Sequence, residues 1–64
     1  MKQTTKDLAY YMALPYTIQL TPAEDYWFVE IPLLKGCMSH GDTPTEALKM
    51  IEEAKELWLE VALE

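Results

Sequence analysis

Hydrophobic and polar residues along this chain change period several times, and each change marks an element. From Tyr16 to Thr21 the run YTIQLT alternates, with Tyr16, Ile18 and Leu20 on one side and Thr17, Gln19 and Thr21 on the other. A period of two predicts a half-buried strand. PAED follows as a turn. The next run, YWFVEI, is aromatic and β-branched, a composition suited to a pleated surface. Trp27, Val29 and Ile31 share one face; Tyr26, Phe28 and Glu30 share the other. With so few residues between them, the two runs predict an antiparallel hairpin. PLLKG breaks the second strand, and CMSH, residues 37–40, has the length of a short third.

Helical periods flank these strands. TKDLAYYMAL, residues 5–14, predicts a short helix capped by Thr4 or Thr5, with Asp7 in its positive first turn. Leu8, Tyr11 and Met12 fall on one side, and Pro15 disfavours helix at Leu14. The last segment is better punctuated. Thr43 is a natural N-cap, Pro44 suits the first helical position, and Glu46 lies three after Thr43, a capping box. Ala47, Ile51, Ala54, Trp58 and Ala62 line one side of this helix. Leu48, Met50, Leu57, Leu59 and Val61 widen the stripe, while Glu46, Lys49, Glu52, Glu53, Glu56 and Glu60 take the opposite face. The expected fold is therefore α+β in the order α-β-β-β-α. A small antiparallel three-stranded sheet carries one long helix packed across a face, in a single domain over residues 1–64.

Size and charge narrow the function. A chain of 64 residues builds a thin core and usually needs a further source of stability. One cysteine and one histidine make neither an intrachain disulfide nor a structural zinc site. Oligomerisation remains, so a homodimer or higher homo-oligomer is expected. The apolar stripe is wider than a small sheet covers, which points to Trp58, Leu59 and Leu63 for self-association. The net charge of −6 disfavours direct nucleic-acid binding and favours a basic partner. Glu24, Asp25 and Asp42, acids outside the last helix, are the candidate contacts. No apolar run is long enough to span a membrane, and the N-terminus does not read as a secretory signal. With a free thiol, that predicts a cytoplasmic protein.

Candidate chemistry is thin. Cys37 and His40 invite a nucleophile-and-base reading, but a spacing of three in a strand puts them on opposite faces. Cys37 then reads as a small buried hydrophobe and His40 as a surface or turn residue. A two-metal nuclease needs several carboxylates converging at one spot, whereas most acids here lie on the outer face of the last helix. GCMSHGD has too few glycines and no following lysine for a phosphate-binding loop, so Gly36 and Gly41 read as turn residues. Tyr26 and Phe28 could stack on bases, but the strands bring no cation. Core packing, a protein contact, or cover by the first helix fits them better. Of Tyr10 and Tyr11, one should pack inward and the other stay wet. No catalytic residue, cofactor or metal is expected.

DLAYYMALPYTIQLTP, YWFVEIP and GCMSHGDTPTEALKMIEEAKELWLE together resemble the HicB-like antitoxin family over nearly the whole chain. Gly36, Cys37, Gly41, Asp42, Thr43, Glu46, Ala47 and Trp58 carry the resemblance. A loop and one further position depart from it: Pro32-Leu33-Leu34-Lys35-Gly36 stands where Pro-Asp-Leu-Pro-Gly is usual, and Tyr26 replaces a glycine. The resemblance implies a partly degraded ribonuclease-H-like domain without catalytic acids. It implies binding to a small basic messenger-RNA-cleaving toxin, HicA-like, whose active site the domain covers. Typical members continue into a DNA-binding part. This chain ends at Glu64, so autoregulation by DNA binding is not expected. Two other readings stay open. One is a stand-alone dimerising domain without a toxin; the other is a minimal metal-dependent nuclease using Asp42, Glu30 or His40.

Overall fold

A computed structural model describes residues 7–64. The expected caps Thr4 and Thr5 lie outside the described residues. Within them the order is α1 (Leu8–Met12), β1 (Gln19–Pro22), β2 (Trp27–Glu30), β3 (Met38–Gly41) and α2 (Pro44–Ala62). The fold is α+β, with a three-stranded antiparallel sheet in the order β1-β2-β3 and a long C-terminal helix.

Side-chain alternation decides which face of the sheet is buried. Val29 and Ile31 are sealed, and Trp27, Ile18, Leu20 and Tyr16 pack around them. From α2 come Ala47, Ile51 and Leu59; from the loop before β3 and its start come Leu34 and Cys37. Fully burying an Ile or Val side chain contributes about 1.5–3 kcal/mol, so Val29, Ile31 and Ile51 anchor the helix to the sheet.

The register is antiparallel throughout. Leu20 opposes Val29 and Thr21 opposes Phe28 on one side of β2; Phe28 opposes His40 and Trp27 opposes Gly41 on the other. β1 starts at Gln19 rather than Tyr16, because its partner ends at Glu30. The next amide, Ile31 N–H, turns instead to the Cys37 carbonyl (3.0 Å). That bond, with Cys37 N–H to the Leu34 carbonyl at 2.8 Å, folds the PLLKG loop and tucks Leu34 inward. Gly36, at φ 85°, makes the left-handed turn.

Asp7 caps α1 and accepts from the Tyr10 amide at 3.1 Å. Leu8, Tyr11 and Met12 pack against the core, and the helix lies against α2. Tyr11 is half-buried and Tyr10 is exposed, with their rings edge-to-face at 5.0 Å. The possibility that α1 covers Tyr26 and Phe28 is thereby corrected: its apolar side is taken by α2.

The start of α2 is held as its punctuation requires. Thr43 Oγ1 accepts from the Glu46 amide at 3.1 Å, and Glu46 Oε1 reaches back to the Asp42 amide at 2.8 Å. The return bond goes one residue upstream of the usual capping box, where it also fixes the exit of β3. Gly41 makes this junction possible. A Cβ placed there would lie 2.5 Å from Ala47 N and 2.8 Å from Ala47 Cα.

The buried stripe of α2 is Ala47, Ile51, Lys55 and Leu59, and it includes a lysine. Lys55 is only 5% exposed. Its ammonium donates to the Met12 carbonyl at 3.3 Å, pairs with Glu52 at 3.1 Å, and lies 5.4 Å from the centre of the Tyr16 ring. This lysine thereby ties α1 to α2.

Candidate partner-binding face

Among the described residues, the far side of the sheet carries no layer of its own. Gln19 and Thr21 of β1, Phe28 and Glu30 of β2, and Met38 and His40 of β3 alternate outward from the buried set. Phe28 and His40 are direct cross-strand neighbours, as are Glu30 and Met38. Tyr26 precedes β2 on the same side, and its ring meets His40 edge-to-face at 5.7 Å. Of these, Tyr26, Phe28, Met38 and His40, together with Ser39, floor an open hollow of about 640 Å³. Asp25 from the β1–β2 turn and Asp42 from the β3–α2 turn stand at its margin.

The two acids are brought together by pairing. Antiparallel register opposes Trp27 to Gly41, so the residues before β2 and after β3 lie at one end of the sheet. Two of the three acids expected to touch a partner, Asp25 and Asp42, line this hollow; Glu24 is exposed in the same turn but does not. Among the described residues no lysine lines it, and the chain contains no arginine. The result is an aromatic and thioether floor with an acidic edge, suited to a cation carried on an apolar surface.

Other candidate residues are separated. Cys37 is buried behind β3, while His40 faces outward, so they cannot act as nucleophile and base. Burial pushes the Cys37 thiol up, with the Lys55 charge opposing, which disfavours a thiolate. Burial likewise raises the Tyr16 phenol, with Tyr11 and Tyr10 adding to it. Glu30 sits on the outward face away from the hollow. Among the described residues no three His, Cys, Asp or Glu side chains group to hold a metal ion. Among the same residues no helix is long and apolar enough to cross a membrane.

The expected self-association set needs one correction. Leu59 is 4% exposed and belongs to the core, because the i, i+4 series from Ala47 points it at the sheet. Trp58 is half-buried, and its indole N–H donates to the Lys35 carbonyl at 2.9 Å, tying α2 to the β2–β3 loop. Leu63 remains exposed. The most exposed apolar side chains of α2 are Val61 at 70% and Leu57 at 65%. They border a groove that also takes in Trp58, Cys37 and Met38.

Comparison with known proteins decides the family. The sequence model of the HicB-like antitoxin of bacterial toxin–antitoxin systems matches residues 14–64. The chain belongs to the HicB-like antitoxin family. Among curated relatives, a UPF0150 protein of Synechocystis sp. is 44% identical over 48 residues, covering 73% of this chain and 66% of the relative. A UPF0150 protein of Thermoplasma acidophilum is 42% identical over 48 residues, covering 73% and 70%. One from Helicobacter pylori is 50% identical over 36 residues, covering 56% and 50%. The chain thus spans about two thirds of the first two relatives and half of the third. No solved structure matches. The HicB-like match contains every residue of the acidic hollow and the whole of α2.

Proposed function

We propose that this HicB-like chain is the antitoxin of a toxin–antitoxin pair, a non-enzymatic binding module. It neutralises a small, basic, messenger-RNA-cleaving toxin of HicA-like type by covering the toxin's active site. The observation that carries this reading is the acid-edged outer face of the sheet in a chain of net charge −6. A ribonuclease concentrates cations where it holds phosphate. An acidic cover competes with RNA for those cations and steers the toxin inward at long range. Glu24, Asp25 and Asp42 are the contacts of this reading.

The degraded ribonuclease-H-like ancestry is part of the same proposal. The antiparallel β1–β2–β3 run followed by a helix across its inner face supports it. So is action in the cytoplasm as a homodimer or higher homo-oligomer. There the Leu57–Val61 ridge and Leu63 replace Leu59 as the self-associating surface, with Trp58 at the edge of that groove.

Co-expression tests the reading. The neighbourhood of the gene is searched for a small basic open reading frame, the two are co-expressed, and growth and copurification are followed. Relief of toxicity together with a stable complex is expected. Undiminished toxicity, with no complex on a sizing column, would end the antitoxin reading and leave the stand-alone dimer.

A further inference from the structure

We propose that the hollow edged by Asp25 and Asp42 receives an arginine side chain from the protein partner, with the guanidinium over Tyr26, Phe28 and Met38 and its N–H groups on the two carboxylates. The proposal rests on the antitoxin reading for the partner's existence and on the hollow for its chemistry.

Four observations favour this occupant. First, the hollow combines rings, a thioether and carboxylates with no lysine among its lining residues. A cation on an apolar stem satisfies both halves; an anion or a purely aliphatic side chain satisfies one at most. Second, the floor is a strand-paired surface that carries aromatic rings, with Phe28 opposite His40 across β2 and β3. A guanidinium is planar, weakly hydrated on its faces and rich in N–H donors at its edge, so it stacks and bonds carboxylates at once. A lysine ammonium is a compact, strongly hydrated point charge. Third, phosphate is a poor occupant, since Asp25 and Asp42 would face it; RNA is therefore disfavoured although the rings suit bases. Fourth, a second copy of this chain is a poor source, because it brings eleven carboxylates and no arginine.

The pairing also explains why two turns far apart in sequence carry the acids. Each acid sits just outside a strand end, in a turn whose backbone has its own anchor. Tyr26 is fixed beside Asp25 by its carbonyl, which accepts from the Ala23 amide at 2.8 Å. The Asp42 amide is fixed by Glu46 at 2.8 Å. The backbones of the two turns are anchored independently of each other, so the hollow is formed before the partner arrives.

The test uses isotope-labelled full chain at physiological ionic strength, about 0.15 M, where surface attraction is screened. Amide shifts are mapped against a blocked Gly-Arg-Ala-Arg-Gly peptide, its lysine twin and a short single-stranded RNA. The proposal expects shifts centred on Tyr26, Phe28, Met38 and His40 with the arginine peptide, and binding several-fold weaker with the lysine twin. Asp25→Asn with Asp42→Asn should weaken the arginine peptide about tenfold. Glu53→Gln with Glu60→Gln, on the outer face of α2, should change it less than about twofold. Equal weakening by both pairs, equal affinity for the lysine twin, or RNA occupying the hollow overturns it. The antitoxin reading fails separately: if the arginine peptide docks but the co-expressed toxin is neither bound nor neutralised, the hollow stands and that reading falls. If the toxin copurifies undiminished with Asp25→Asn/Asp42→Asn, the antitoxin reading stands and the hollow is not its contact.

Discussion

Replacing Gly41 by alanine puts a methyl group where there is only backbone to receive it. The new Cβ would lie 2.5 Å from Ala47 N and 2.8 Å from both Ala47 Cα and Glu46 C. Ordinary contact begins near 3.4 Å, so the overlap reaches roughly an ångström and falls on the first turn of α2. That turn is not free to yield. It is held by Thr43 and Glu46, and Ala47 and Ile51 are both fully buried below it. Overpacking of this kind costs about 1–3 kcal/mol, and loosening the cap adds about 1. The lost freedom of the unfolded chain returns about 0.4–1 kcal/mol. The net loss is about 1–3.5 kcal/mol. For a chain of this size that lowers Tm by roughly 5–25 °C. Gly36→Ala is the internal control. Its Cβ meets nothing within 4 Å, and only its φ of 85° opposes the change, at about 1–2 kcal/mol before the unfolded-state return. Thermal and urea unfolding followed by circular dichroism measure both variants. A Gly41→Ala protein within about 0.5 kcal/mol of the native chain, or less damaged than Gly36→Ala, would refute the close-approach argument.

Three further outcomes follow from named contacts. Lys55→Ala removes a buried stem and leaves the Met12 carbonyl without its donor, costing about 2–3 kcal/mol. Lys55→Met keeps the volume but also leaves that carbonyl unpaired, costing about 1–2 kcal/mol, so urea midpoints should rank native, methionine, alanine; equal losses in the two variants would mean the ammonium rather than the stem holds α1. Trp58→Phe deletes the indole N–H to the Lys35 carbonyl and should cost about 1 kcal/mol, read from the same unfolding curves, and no loss would make that bond incidental. Burial raises the Cys37 thiol, so the folded state keeps that proton to higher pH than the unfolded chain. Its contribution is complete below the unfolded value near about 8.5 and is lost as pH rises through the folded one. Stability measured from pH 7.5 to 9.5, the range bracketing the free thiol, should therefore fall less in Cys37→Ala than in the native chain, and identical slopes would show that the thiol is not shielded.

Much of this fold was legible because its signals are local. The alternation of Tyr16–Thr21 and Tyr26–Ile31 assigned every inward residue of the hairpin correctly, even where the ladder itself is shorter. Thr43, Pro44 and Glu46 placed the start of α2 to the residue. What escaped was non-local. Lys55 reads as one more charge on a charged helix, yet it is buried because a carbonyl 43 residues away and the Tyr16 ring meet its ammonium. Leu59 reads as surplus apolar surface until the i, i+4 series is counted from Ala47 through a lysine. The hollow was half visible. Tyr26 and Phe28 were on the outward face from the start, and Asp25 and Asp42 stood out as acids off the helix. Only the β2–β3 register, Trp27 opposite Gly41, sets all four around one space.

The most direct measurement is inhibition of messenger-RNA cleavage by the toxin proposed as the partner, titrated with this chain. The account predicts that cleavage stops at stoichiometric antitoxin, and that Asp25→Lys with Asp42→Lys, folded by circular dichroism, no longer stops it. Cleavage that continues at excess native chain, or that the lysine variant stops equally well, would contradict the acidic outer face as the cover.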